Sequence, residues 1–355
     1  MLDSSFIHSI KKNITAFIGL FIIIFFSFIA LLGYWIMPDS TPLANDRIPE
    51  IRKLPPGSEV TLLLTKKNSL ISDYSIWERY IKGQPSQYIS KAITNYSYTQ
   101  QGDLLYVPYG LINKQDTIPA NKANSAIKIK IKNYWLGTDK SGRDLLSMLI
   151  YGARISLMVG IIAVSISLFI GILLGGLAGY YRGWVDAIIL WVISVIWSVP
   201  GILLVIGISL ALQSKGVWVA FLAVGLTMWV EVARVVRGQV MEVREKQYVI
   251  AAKALGFSDF RIVFKHILPN IIAPIIVIAT ANFASSILVE SGLSFLGLGA
   301  QPPTPSWGQL VRDGYQLMGN QNSWHILTFP CLCISLLVLS FNLIGNALRD
   351  WYSPK

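Results

Sequence analysis

Long uninterrupted apolar blocks constrain this 355-residue chain more than any other feature, because a stretch of about 20 apolar residues is the length that crosses a bilayer as a helix. The blocks run from about Ala16 to Met37, Ile155 to Tyr180, Ala187 to Leu212, Val217 to Val230, Ile271 to Val289 and Ile326 to Leu348. The fourth is the shortest and its limits are the least defined. The backbone of a spanning segment must satisfy its own polar groups, so the blocks predict helices. With 53% hydrophobic and 14% charged residues, the composition predicts an all-α integral membrane protein with about six transmembrane helices.

A net charge of +11 is common in nucleic-acid-binding proteins, but basic residues of a membrane protein flank its spans and face the anionic cytoplasmic leaflet. No nucleic acid partner is expected; the bilayer is. Lys11 and Lys12 precede the first block, which is too long for a signal-peptide core and lacks a small-residue cleavage pattern. An uncleaved first span with a cytoplasmic N-terminus is expected. Arg182 sits in one short connection, and Arg234, Arg237, Arg244, Lys246, Lys253, Arg261 and Lys265 crowd another, which places both inside. Arg349 and Lys355 place the C-terminus inside as well, leaving the loop around Ser214 and the segment from Gly292 to Ser323 outside. Cys331 and Cys333 lie two residues apart in an apolar run, where helical geometry disfavours a disulfide.

Residues 1–37 therefore read as an N-terminal tail and first span, 38–134 as a polar, proline-bearing extracytoplasmic insert, and 135–355 as a core with five further spans. Within the insert, Ala126 to Lys132 alternates strictly and predicts a strand, as do Glu59 to Thr65 and Asp103 to Pro108 more weakly. Tyr74 to Lys82 predicts a short helix. The aromatic content favours a small α+β domain over disorder.

Three stretches carry more than composition. From Tyr248 to Asn270, inside a basic cytoplasmic segment taken as 232–270, a helical sequence containing Ala251, Ala252, Ala254 and Leu255 meets Gly256, where a positive φ is cheap. A second helix is expected from Ser258 to Leu268, stopping before Pro269, and the alanines leave one side thin enough to dock in a groove of another protein. The second stretch is Leu136-Gly-Thr-Asp-Lys-Ser-Gly-Arg-Asp144, whose Gly137, Thr138, Asp139, Gly142, Arg143 and Asp144 suit a tight turn before an interfacial helix. The third is Ser291-Gly-Leu-Ser-Phe-Leu-Gly-Leu-Gly299, with Ser294, Phe295, Leu296, Gly297 and Gly299, followed by prolines and Trp307. A lid-like element and a proline-stiffened surface loop both fit it. Glu290, a carboxylate late in the fifth span, is either functional or paired with another helix.

The first stretch resembles the ATPase-docking loop of binding-protein-dependent ABC importer permeases, through its Ala-Ala pair, the glycine four residues later, and His266, Leu268 and Pro269. The second and third, with Phe341-Asn-Leu-Ile-Gly345 and Leu348-Arg-Asp350, resemble the C-type subunits of the dipeptide, oligopeptide and nickel transport family. The resemblance runs from about Tyr134 to Pro354 and leaves the insert uncovered. Ile250 stands where the family often has glutamate, and Asn346 where it has aspartate.

This resemblance implies one half of a translocation path for peptides or similar small solutes in a bacterial inner membrane. It implies a second homologous permease subunit, two cytoplasmic ABC ATPases that use ATP and Mg, and an extracytoplasmic solute-binding protein. ATP-driven closure of the ATPases would push the docking loops and tilt the spans from inward-open to outward-open. The other glycine-rich residues and Glu290 then fall at the outer mouth or gate. The chain carries no Gly-x-x-x-x-Gly-Lys-Ser/Thr loop and no His-Glu-x-x-His pattern, so no cofactor, metal or catalytic residue of its own is expected. The alternative, a secondary transporter or channel uncoupled from ATPases, would place charged or broken spans near midmembrane, of which the sequence shows almost none.

Overall fold

The structure, a computed structural model, describes residues 14–67, 74–111, 114–119, 127–214, 216–319 and 322–352. Among these, α1 is Ile14–Leu32, α2 Ile76–Lys82, α3 Leu145–Tyr181, α4 Gly183–Trp197, α5 Gly201–Ala211, α6 Val217–Arg244, α7 Gln247–Ala254, α8 Asp259–Ile262, α9 Ile272–Leu296, α10 Trp307–Gln316 and α11 Trp324–Tyr352. Five strands, β1 Ser58–Lys66, β2 Tyr88–Tyr98, β3 Leu104–Pro108, β4 Asp116–Ile118 and β5 Ile127–Tyr134, form one antiparallel sheet in the order β4-β3-β2-β1-β5. The chain divides into two compact units, one of residues 1–27, 155–301 and 334–355, the other of residues 28–154 and 302–333.

The first unit is helical. Among the described residues, five helices are long and apolar enough to cross a membrane, and α4 with α5 makes a sixth if that bent pair is one span. The block from Ala187 to Leu212 is helical on either side of a break: the pair bends by 89° at Ser198 to Pro200. Pro200 has no N–H to continue the helix and pushes the preceding residue out of the α region. The expected short fourth span is instead the 28-residue α6, which continues to Arg244. Its second half stays helical because Val232, Val236, Val240 and Val243 form a buried stripe at helical spacing. Asp186 also receives two bonds from the Arg237 guanidinium, at 2.5 and 2.7 Å. Close helix approach needs the glycines: a Cβ on Gly175 would lie 2.4 Å from the Ala233 carbonyl oxygen.

The second unit carries the sheet. β1 sits between β2 and β5, with Leu63 buried on one face and Val60 and Leu62 on the other. Three expected strands and the helix are present, although Ala126 lies outside the described residues; β2 and β4 are additions. Ser75 caps α2, accepting from the Glu78 N–H while the Glu78 carboxylate accepts from the Ser75 N–H. Cys331 and Cys333 are free and half-buried. Lys11, Lys12 and Lys355 lie outside the described residues.

Candidate functional site

The connection between α6 and α9 is an elbow set by one glycine. α7 ends at Ala254, and Gly256 takes φ +80° with nothing within 4 Å of where a Cβ would stand. The Gly256 N–H donates to the Lys253 carbonyl and the Phe257 N–H to the Ala252 carbonyl, the paired bonds of a left-handed helix stop. The second helix does not end before Pro269 as the sequence suggests. After α8 the chain passes through a π turn at Val263–Ile267 and a 3-10 turn at Leu268–Ile271 directly into α9. Pro269 falls in the first positions of that last turn, where its missing N–H costs nothing.

Burial divides the elbow into two sides. Val249 and Ala252, three residues apart, point into the cluster of Val236, Val240, Val243, Ile262, Ile267 and Ile271. Tyr248, Ala251, Ala254, Leu255, Ser258 and Pro269 are exposed, whereas His266 and Leu268 are half-buried. The thin outward side is therefore made by Ala251 and Ala254 alone; Ala252 serves the inward packing. The Tyr180 hydroxyl donates to the Asp259 carboxylate at 2.6 Å, Phe257 stacks on His266 with centroids 6.0 Å apart, and Arg261 lies 4.3 Å over the Phe257 ring. Arg182 bonds Glu245 at 2.6 Å, which lowers the Glu245 pKa. The result is a pre-formed knob fastened on its inner side to α6 and the start of α9.

The block 136–144 is a buried knot rather than a solvated turn. Asp139, wholly buried, accepts from the backbone N–H groups of Ser141 and Arg143 and from the Arg143 guanidinium, all at 2.7–2.8 Å. Thr138 donates to the Ile51 carbonyl and accepts from the Leu54 N–H, and its own carbonyl oxygen lies 3.1 Å from His325 Nε2. Asp144 caps α3 by accepting from the Ser147 N–H and hydroxyl, and burial raises its carboxyl pKa. A Cβ on Gly142 would collide with the Ile48 carbonyl, and one on Gly137 with the Leu54 carbonyl. Trp307 opens α10, is wholly buried and donates its ring N–H to the Leu149 carbonyl at 2.9 Å. Lys140 pairs with Asp313 at 2.8 Å.

The first part of the third stretch, to Leu296, is the end of α9, which stops at Gly297 with φ +82° before an irregular segment. The Ser294 hydroxyl donates to Glu290 at 2.7 Å and accepts from the Ala300 N–H at 3.1 Å, and Gly299 has no room for a Cβ beside it. Phe295 is half-buried and Leu296 exposed. Glu290 is buried, completing a row of Asn282, Ser286, Glu290 and Ser294 on one face of α9. Sequence reasoning found Glu290 and Ser294 but missed Asn282 and Ser286; their four-residue spacing is the signal that reveals them. The Tyr180–Asp259 and Asp186–Arg237 contacts were also missed.

The sequence matches the family described as the binding-protein-dependent transport system inner membrane component over residues 167–355, and the N-terminal transmembrane domain of oligopeptide transport permease C over residues 4–56. It is 44% identical over 222 residues to the dipeptide transport system permease protein DppC of Alkalihalophilus pseudofirmus, covering 62% of this chain and 72% of that one. It is 39% identical over 249 residues to the glutathione transport system permease protein GsiD of Pectobacterium atrosepticum, covering 70% and 80%. The oligopeptide transport system permease protein OppC of Bacillus subtilis is 36% identical over 245 residues, covering 69% and 79%. In fold alone, the chain resembles the MetNI methionine ABC transporter in an inward-facing conformation, with a TM-score of 0.50 at 18% identity over 58% of this chain and 97% of that one. A multi-span helical unit, a glycine-stopped elbow and these matches make the chain a member of the inner membrane components of binding-protein-dependent transport systems, a permease subunit of the ABC importer class.

Proposed function

We propose that this permease imports peptides or similar small solutes and that the α7–α8 elbow is the surface on which a cytoplasmic ABC ATPase docks. The observation carrying this reading is the two-sided elbow: Tyr248, Ala251 and Leu255 face outward, and Val249 and Ala252 fasten it to α6 and the start of α9. A push on such a knob moves the spans with it, as coupling to a two-state membrane core requires. The relatives named for dipeptide, oligopeptide and glutathione transport support the solute class.

In this reading the basic residues from Arg234 to Lys265 put the elbow and both termini in the cytoplasm and residues 38–134 outside. Two ATPases using ATP and Mg, a second homologous permease and an extracytoplasmic solute-binding protein complete the transporter. The insert contributes to binding-protein docking, and the 136–144 knot braces the outer mouth rather than moving as a gate. The test is purification from the native membrane in mild detergent, with mass spectrometry of what accompanies the chain and of what accompanies Gly256→Asp. The proposal expects a second permease and ATPases with the native chain, and loss of the ATPases alone in the variant. A chain that travels alone in both cases refutes ATPase coupling and favours a secondary transporter. Deletion of the insert without loss of binding-protein contact refutes its docking role.

A further inference from the structure

α2 is a seven-residue helix with no buried residue, and its side chains are sorted. At about 100° per residue, Ile76, Tyr80, Trp77 and Ile81 occupy an arc of about 140°, and Glu78, Arg79 and Lys82 lie opposite. Ile76 is 71% exposed, Trp77 76% and Ile81 64%, so the apolar arc is left uncovered by the rest of the unit. A soluble domain gains nothing from presenting an isoleucine–tryptophan face to water.

The position of this face follows from Arg154. Its Nε donates to the Ala30 carbonyl at 2.6 Å and its Nη2 to the Leu31 carbonyl at 3.2 Å, which are end groups of span α1. Its Nη1 donates to the Tyr80 carbonyl of α2 at 3.3 Å, and the guanidinium lies 5.2 Å from both the Tyr34 and Tyr80 rings. One planar guanidinium thus holds the last turn of a span and the last turn of α2 with their carbonyl oxygens no more than about 8 Å apart. A Cβ on Gly33 would stand 2.5 Å from that guanidinium, and Gly83, which ends α2, packs against the Tyr34 ring. α2 is thus clamped beside the last turn of α1.

Beside it the last turns of α1 expose Phe28 and Leu31, and Trp35, in the 3-10 turn Gly33–Trp35 that follows α1, is exposed as well. We propose that α2 is an interfacial anchor, its Ile76–Trp77–Ile81 face lying with Trp35 in the headgroup–acyl boundary of the leaflet in which α1 ends, with lipid as its occupant. The tryptophan suits the boundary, Arg79 and Lys82 meet the headgroups, and the neighbouring exposed apolar residues at the end of a helix long and apolar enough to cross a membrane select lipid over a protein partner. The insert would then be tethered to the bilayer through α2 as well as through α1.

The test places an environment-sensitive fluorophore at Trp77→Cys, Lys82→Cys and Ser97→Cys in a background lacking Cys331 and Cys333. The labelled proteins, with the subunits that copurify, are set in lipid nanodiscs and exposed to shallow spin-labelled lipid and to aqueous iodide. The proposal expects at least a threefold preference for lipid over iodide quenching at Trp77→Cys, the reverse at exposed Ser97, and an intermediate result at Lys82. Iodide quenching at Trp77→Cys equal to that at Ser97→Cys overturns it. Protection from both quenchers also overturns it, since a protein partner would then cover the face.

Discussion

Asp139→Asn is the substitution whose cost the structure defines most sharply. The carboxylate receives two backbone N–H groups on Oδ1 and two guanidinium nitrogens of Arg143 on Oδ2, and Asp139 and Arg143 are 0% and 3% exposed. Asparagine keeps an oxygen for the two backbone donors but turns an NH₂ toward the guanidinium. Arg143 is left buried without its counter-charge, a situation that costs about 3–5 kcal/mol. Because the Asp139 carbonyl also accepts from Lys53 and Thr138 bonds Ile51 and Leu54, the loss falls on the whole knot. Native-state amide exchange across residues 48–54 and 137–144 reads it as opening about 10²- to 10⁴-fold more frequent. Adding Arg143→Met to Asp139→Asn removes the orphaned charge and is expected to restore most of the protection. Exchange within a few-fold of wild type in the single variant, or a double variant as unprotected as the single, would refute the argument that desolvation governs this site.

Gly152→Ala puts a Cβ 2.5 Å from the Trp307 ring and is expected to cost about 1–3 kcal/mol in thermal or denaturant unfolding, whereas Gly176→Ala on the same helix has open space and is expected to be neutral or stabilising. Burial, above all other causes, raises the carboxyl pKa values of Asp46, Asp144 and Asp313 above their unfolded values. The folded state therefore takes up these protons first, so stability of this unit rises as pH falls through the folded values and levels off below the unfolded ones; amide exchange of β1 and β5 between pH 7 and pH 4 checks the sign. Tyr180→Phe removes the bond to the exposed Asp259 and is expected to cost about 1.5 kcal/mol, read as roughly tenfold faster exchange at the start of α8.

The membrane architecture was legible because apolar length leaves few alternatives, but direction within a block is not encoded by composition. Only Pro200 signalled that the third block bends. α6 was cut short because Glu231, Arg234 and Arg237 resemble an end of span; the valine stripe and the Asp186 partner that keep it helical lie in packing, not in local hydropathy. In the insert, β5 announced itself by strict alternation, whereas β2 exposes much of both faces and its Ser, Lys, Thr and Asn mask the period. The elbow was readable as a motif, and its two sides follow from the spacing of Val249 and Ala252. The burial of the 136–144 block was not legible, because charges are seldom buried. Its partners at Ile48, Ile51, Leu54 and His325 are far away in sequence and only the fold brings them to it.

Whether the outward side of the α7 elbow meets an ATPase is decided by site-specific cross-linking. Ala251→Cys, Leu255→Cys and Ala252→Cys, each in a background lacking Cys331 and Cys333, are fitted with a short photoactivatable cross-linker in native membranes, and adducts are identified by mass spectrometry. ATPase adducts are expected from Ala251→Cys and Leu255→Cys and none from buried Ala252→Cys. Adducts of equal yield at all three positions, or an ATPase found at none, would contradict it.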